Sequence, residues 1–145
     1  MDVLADYPFA HMTIHVRTMR EQYTGGIHPE AYDLARERGV TNIVFNGDLK
    51  TPEDCAGMEF VMIGRGLLAD PSLARQIRGG WPADEEELRA WYTDLYKGWT
   101  ERFHATLALG RIKKLAEWPI GEDIKRKRRL RQADNIEGCI NAILL

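Results

Sequence analysis

Three short motifs in the first half of the chain combine residue types that can hold an anion: Thr13-Ile14-His15-Val16-Arg17, Asn46-Gly47-Asp48 and Gly64-Arg65-Gly66. Each lies at the end of an apolar run. In the first, a two-residue period puts Thr13, His15 and Arg17 on one side and Met12, Ile14 and Val16 on the other, so an imidazole and a guanidinium share the polar side of a strand. In the other two, glycine lets backbone N–H groups approach a bound group with no Cβ in the way, which is the geometry of an anion nest. An isolated Asn-Gly is most often a turn, and an isolated Gly-x-Gly says little. Two such corners after successive strands point together to a phosphorylated ligand.

A second chemistry resides in charge. The net charge of −2 conceals an uneven distribution. Between Gly110 and Gln132 stand Arg111, Lys113, Lys114, Lys125, Arg126, Lys127, Arg128, Arg129 and Arg131 against Glu117, Glu122 and Asp123. That stretch carries +6 and leaves −8 for the rest of the chain. Such asymmetry suggests contact with a polyanion, a nucleic acid or an acidic membrane surface.

The elements that must position these groups follow from periodicity. Met12 to Val16, Asn42 to Phe45 and Phe60 to Gly64 read as buried strands. Between the first two, Pro29 near a first turn, Ala31, Leu34 and Ala35 on one face and Gly39 at the stop predict a helix. A short helical segment opened by Thr51 and Pro52 precedes the third strand. Alternation of this kind implies a parallel sheet. In a barrel of parallel strands the polar face of the first strand would look inward, phosphate binds at the loops after the last two strands, and Leu68 to Ile77 would supply the short extra helix near that site.

Beyond Pro82 only helix signals remain. Asp84 is a cap followed by three glutamates, and Leu88, Tyr92, Leu95, Trp99 and Phe103 form one stripe. Asp134 and Glu137 make a capping-box pattern for a last helix whose apolar face is Ile136, Cys139, Ile140, Ile143 and Leu144. A bundle of about four helices is predicted, with the boundary in Arg78 to Asp84, where Gly79, Gly80 and Pro82 interrupt regular structure.

In order and spacing, His15-Val16-Arg17-Thr18, Gln22-Tyr23, Asn46-Gly47-Asp48, Val61-Met62-Ile63-Gly64-Arg65-Gly66 with Pro71, and Gly110-Arg111-Ile112-Lys113 resemble the tRNA-dihydrouridine synthase family. The resemblance covers nearly the whole chain. It implies the last three strands of a (β/α)8 TIM barrel in residues 1–80, followed by an all-α tRNA-binding bundle in residues 81–145. It implies FMN as cofactor, reduced by NADPH, and saturation of the C5–C6 bond of tRNA uridines to dihydrouridine. His15, Asn46, Gly47, Asp48, Gly64 and Arg65 would then hold FMN. Arg17, Arg111, Lys113, Lys114, Lys125, Arg126, Lys127 and Arg128 would contact tRNA. The family's catalytic cysteine belongs to earlier barrel strands with no counterpart before Met12, so no catalytic residue is assigned here and a second chain completing the barrel is an expected partner. A non-catalytic RNA-binding remnant, or part of another FMN-dependent barrel oxidoreductase, are the rival readings.

Composition fits this picture. A chain of 145 residues, 44% of them hydrophobic, can bury a core. Its two cysteines, Cys55 and Cys139, form no metal-binding or disulfide pattern. No apolar run approaches the ~20 residues of a membrane span and the first residues lack a basic signal-peptide start, so a cytoplasmic protein without membrane contact is expected.

Overall fold

The computed structural model describes residues 6–21 and 25–145, leaving Gln22 and Tyr23 of the family-like motifs outside the described residues. The fold is mixed α/β: a small parallel sheet accompanied mostly by helices. The chain divides into two compact units, Met1–Gly66 and Leu67–Leu145.

In the first unit, β1 (Met12–His15), β2 (Ile43–Asn46) and β3 (Phe60–Met62) lie side by side in that order, all parallel. Register pairs His15 with Asn46 and Asn46 with Met62, so the three carboxyl ends are level. β2 starts one residue later than the sequence suggests. The reason is local: Asn42 has φ +55, a left-handed conformation that closes the preceding turn and that asparagine tolerates better than most residues. β1 ends at His15, although the Val16 N–H still donates to the Asn46 carbonyl at 2.9 Å.

Between β1 and β2, α1 (Glu30–Glu37) packs Tyr32 and Ala35 inward, with the Tyr32 ring edge-on to Phe45 at 5.3 Å. Leu34, which the pattern places on the inner face, is exposed instead. Val16, Val40, Ile43, Phe45, Leu49 and Cys55 complete this apolar layer. The opposite face of the sheet is open: Thr13 and His15 are exposed, as are Phe60 and Met62 at 45% and 53%. The segment opened by Thr51 and Pro52 is a single 3₁₀ turn, Glu53–Cys55.

The loop after β1 is tied by charge. Glu21 accepts from the Thr18 hydroxyl and backbone N–H at 2.6 and 2.9 Å, and its other oxygen meets His28 Nε2 at 2.8 Å. His28 Nδ1 reaches Glu30 at 3.1 Å. The Thr18 hydroxyl, followed by His28, holds the Glu21 carboxyl down at about 2, and Glu21, followed by Glu30, raises the His28 imidazole above its ordinary 6.5.

α2 (Arg65–Ala69) follows β3 directly, and α3 (Leu73–Ile77) comes next, so the single extra helix expected over Leu68 to Ile77 is two short ones. The helical unit contains α4 (Glu85–Arg102), α5 (Ala105–Ile120), α6 (Ile124–Gln132) and α7 (Ile136–Leu144). Asp84 caps α4 by accepting from the Glu87 N–H at 2.8 Å. α7 is capped by Asn135, accepting from Gly138 N–H at 2.8 Å, rather than by Asp134. Tyr92, Tyr96, Ile112, Ala116, Ile120, Leu130, Cys139, Ile140 and Ile143 form the core, while Trp91 is at the surface.

Two outcomes test this account. The Tyr96 hydroxyl is fully buried and finds no hydrogen-bond partner among the described residues, and burial pushes its pKa above the ordinary 10. Tyr96→Phe is therefore expected to leave stability unchanged or raise it by about 1 kcal/mol in denaturant unfolding; a loss of that size would show that the hydroxyl is satisfied. For the loop, a raised His28 value means stabilisation complete below 6.5 and lost as pH rises through the folded value; a lowered Glu21 value means stabilisation complete above its ordinary 4.5 and lost on acidification towards 2. The loop is tightest between those limits. NMR titration should place the His28 midpoint above 6.5 and Glu21→Gln should bring it down; a wild-type midpoint at or below the ordinary value contradicts the clamp.

Candidate functional site

The carboxyl ends of β1, β2 and β3 deliver Arg17, Asp48 and Arg65 to one place. Asp48 accepts from Arg17 at 2.6 Å through one carboxylate oxygen and from Arg65 at 2.5 Å through the other. Arg17 also donates to the Gly25 carbonyl. Its side chain is 3% exposed, whereas Asp48 and Arg65 are each at 32%. Two guanidiniums on one carboxylate leave the cluster with a net positive charge at the sheet's carboxyl edge. Arg17, expected from the resemblance to contact tRNA, thus has its guanidinium turned onto Asp48 and the β1 loop.

The turn holding Asp48 is rigid for a packing reason. A Cβ at Gly47 would meet Phe45 Cε1 and Val16 Cγ2, both at 2.8 Å, so only glycine lets this turn lie on the apolar layer. The Leu49 N–H closes the turn onto the Gly47 carbonyl at 2.7 Å, and Leu49 itself is buried. Gly47 is therefore required by the core below it. At Gly64 the reverse holds: among the described residues, its chain neighbours aside, nothing lies within 4 Å of where a Cβ would be, and the backbone enters α2 immediately afterwards. Among the described residues, Gly64 has room beside it for a bound group.

Asn46 and His15 are neighbours across the strands. The Asn46 side-chain N–H₂ donates to the Met62 carbonyl at 2.8 Å, tying β2 to the end of β3. His15 is exposed on the open sheet face. The donor set therefore suits a phosphate: a part-exposed guanidinium, a glycine corner with open space, and a net positive charge. The carboxylate of Asp48, an anion, would repel a phosphate rather than bind it. Cys55 lies in the turn between β2 and β3 and Cys139 in α7, both buried, with burial raising both thiols.

In the helical unit the basic residues separate into two groups. Several serve the fold. Arg126 donates to the Ile143 carbonyl at 3.0 Å and Lys113 to the Arg131 carbonyl at 3.0 Å, each satisfying a carbonyl in the last turn of a helix. Lys114 pairs with Glu117 at 2.9 Å and Lys127 with Glu122 at 3.0 Å. Arg111 lies over Phe103, 4.5 Å from the ring centroid, and 5.9 Å from that of Trp99. The others face water. Lys125, Arg128 and Arg129 are exposed at a spacing of three and four residues, which makes them one stripe of α6, with buried Leu130 on the inner side. Arg129, and Arg131 beside it, are exposed cations that the site assignment from sequence omitted; the helical wheel of Lys125 to Arg131 with Leu130 as the inner position would have found Arg129. Among the described residues no group of three or more His, Cys, Asp or Glu could hold a metal ion.

Comparison with known proteins converges on one family. The model described as dihydrouridine synthase (Dus) matches residues 2–137. The tRNA-dihydrouridine(16) synthase of Pseudomonas syringae pv. tomato is 35% identical over 94 residues, 61% of this chain and 30% of that protein. The protein of the same name from Neisseria meningitidis serogroup A is 27% identical over 153 aligned positions, 90% of this chain and 45% of that protein. The tRNA-dihydrouridine synthase B of Shewanella oneidensis is 28% identical over 82 residues, 52% of this chain and 26% of that protein. The chain thus spans less than half the length of these relatives. Because the family match runs from before β1 into α7 and takes in both the arginine-carboxylate corner and the basic helices, the chain belongs to the dihydrouridine synthase family.

Proposed function

We propose that this chain is the carboxy-terminal portion of an FMN-dependent tRNA-dihydrouridine synthase, with residues 1–80 as the end of the flavin-binding barrel and residues 81–145 as the tRNA-binding domain. The observation that carries the reading is the level carboxyl edge of three parallel strands, where Gly64, with open space beside it among the described residues, adjoins the Arg17–Asp48–Arg65 cluster. That edge is where barrels of this type place phosphate. Arg65 and the backbone of Gly64 would hold the FMN phosphate, with Asn46 fixing the strand end and His15 on the ring side. When bound, the reduced flavin supplies the hydride that saturates the uracil C5–C6 bond, NADPH being the source of that hydride.

The open sheet face supports the same reading. Val44, Phe60 and Met62 stand beside Thr13, His15 and Asn46 on a face that three strands leave uncovered, and further strands closing a barrel would enclose it. Those strands, in a preceding segment or a second chain, would also bring the acid that protonates the uracil carbon opposite the hydride. No helix among the described residues is long and apolar enough to cross a membrane. A tRNA substrate makes the cytoplasm the compartment we infer, and the names of the relatives from Pseudomonas and Neisseria make the uridine they designate 16 the inferred target.

RNA would be gripped chiefly through its phosphates, because the exposed stripe Lys125, Arg128 and Arg129 is all point charge and donor fork, with no base-reading pattern. Arg111 over Phe103 adds a planar cation at the corner of α4 and α5. Titrating labelled tRNA at several salt concentrations is expected to give an affinity that falls steeply with salt, and replacing Lys125, Arg128 and Arg129 by Ala should reduce the log–log slope by about 2 to 3. A slope untouched by the triple substitution would remove α6 from the RNA interface.

A further inference from the structure

We infer that the Asp48 side chain is a positioning group, setting the direction of Arg65 towards the phosphate while anchored from behind by buried Arg17, and that its carboxylate is not itself a ligand to the cofactor. The inference rests on the flavin-phosphate reading of the corner. Its geometry is independent of that reading: one carboxylate oxygen on Arg17 at 2.6 Å, the other on Arg65 at 2.5 Å. A carboxylate beside a phosphate dianion is repulsive, so an Asp in this position needs another reason to be there. The structure supplies one. A guanidinium is a planar fork of donors, and holding its Nη2 on the Asp48 carboxylate constrains the plane in which its other nitrogens lie.

The carboxylate is itself held. Gly47 seats the turn on Phe45 and Val16 with no space for a Cβ, and Leu49 is buried just after it. Arg17, 3% exposed, is pinned by the Gly25 carbonyl as well as by Asp48. The chain of contacts therefore runs from the loop after β1, through Arg17 and Asp48, to Arg65.

Asp48→Asn keeps the shape and removes the charge. NMR of the guanidinium N–H groups in the full chain should show slowed exchange for both Arg17 and Arg65, and rapid exchange for Arg65 in D48N; an unchanged Arg65 signal overturns the positioning role. Fluorescence titration with FMN and with riboflavin, which lacks the phosphate, supplies the second measurement. D48N should weaken FMN by about 10-fold or more and leave riboflavin unchanged. Arg65→Met should weaken FMN similarly, and the double variant D48N/R65M should lose no more than R65M alone. FMN bound by D48N as tightly as by wild type, or losses that add in the double variant, would show that the two residues act separately. Wild-type protein that takes FMN no better than riboflavin overturns the phosphate reading and Asp48's role towards a ligand together, and guanidinium signals that still respond to D48N assign that failure to the cofactor reading.

Discussion

One carboxylate joins the ends of all three strands. Asp48 follows β2, Arg17 follows β1 and Arg65 opens the helix after β3, and the two hydrogen bonds at 2.6 and 2.5 Å hold these loops in one arrangement. A parallel sheet of three short strands has little to fix its loop geometry, since its ladder ends where the strands end. Charge-assisted bonds there, each of the order of 2 kcal/mol, extend the order of the sheet into the loops. The buried position of Arg17 makes the arrangement mutually dependent: without Asp48 a guanidinium would be left in the interior with only a carbonyl, and without Arg17 the carboxylate would face one cation rather than two.

The helical unit uses its cations in a different way. Although α6 reads as six basic residues in nine, its charge is divided between support and surface. Arg126, half-buried, satisfies a carbonyl at the end of α7, and Lys113 does the same at the end of α6, so part of the basic cluster holds the helices together by their carboxyl ends. Only the outward stripe remains for a polyanion. This division follows from the helical period: Leu130 faces the core, the residues beside it are drawn into structural bonds, and those opposite face water.

Much of this was legible in the sequence because period and chemistry agreed. The three strands, the four helices after Asp84, and the family resemblance on ordered motifs all correspond to what the structure and the comparisons contain. What could not be read were the pairings. Nothing in Asn46-Gly47-Asp48 announces that its glycine answers to Phe45 and Val16 and its aspartate to two arginines 31 and 17 residues away. The Asn42 left-handed turn shifted β2 by one residue, and Asn135 took the capping role that the neighbouring Asp134 matched by pattern. Tyr96 was missed as a core residue because the aromatic stripe was traced through Tyr92 and Leu95, whereas the bundle closes over the adjacent turn.

Under the proposed function, the remaining barrel strands and the proton donor come from a preceding segment or from another chain. The most direct test is an assay of dihydrouridine formation in tRNA with FMN and NADPH, first with this chain alone and then mixed with the separately produced amino-terminal part of the Pseudomonas syringae relative. Product only in the mixture is the result expected. Turnover by the chain alone would contradict the account, because it would mean that a proton donor for the uracil ring is present among these residues.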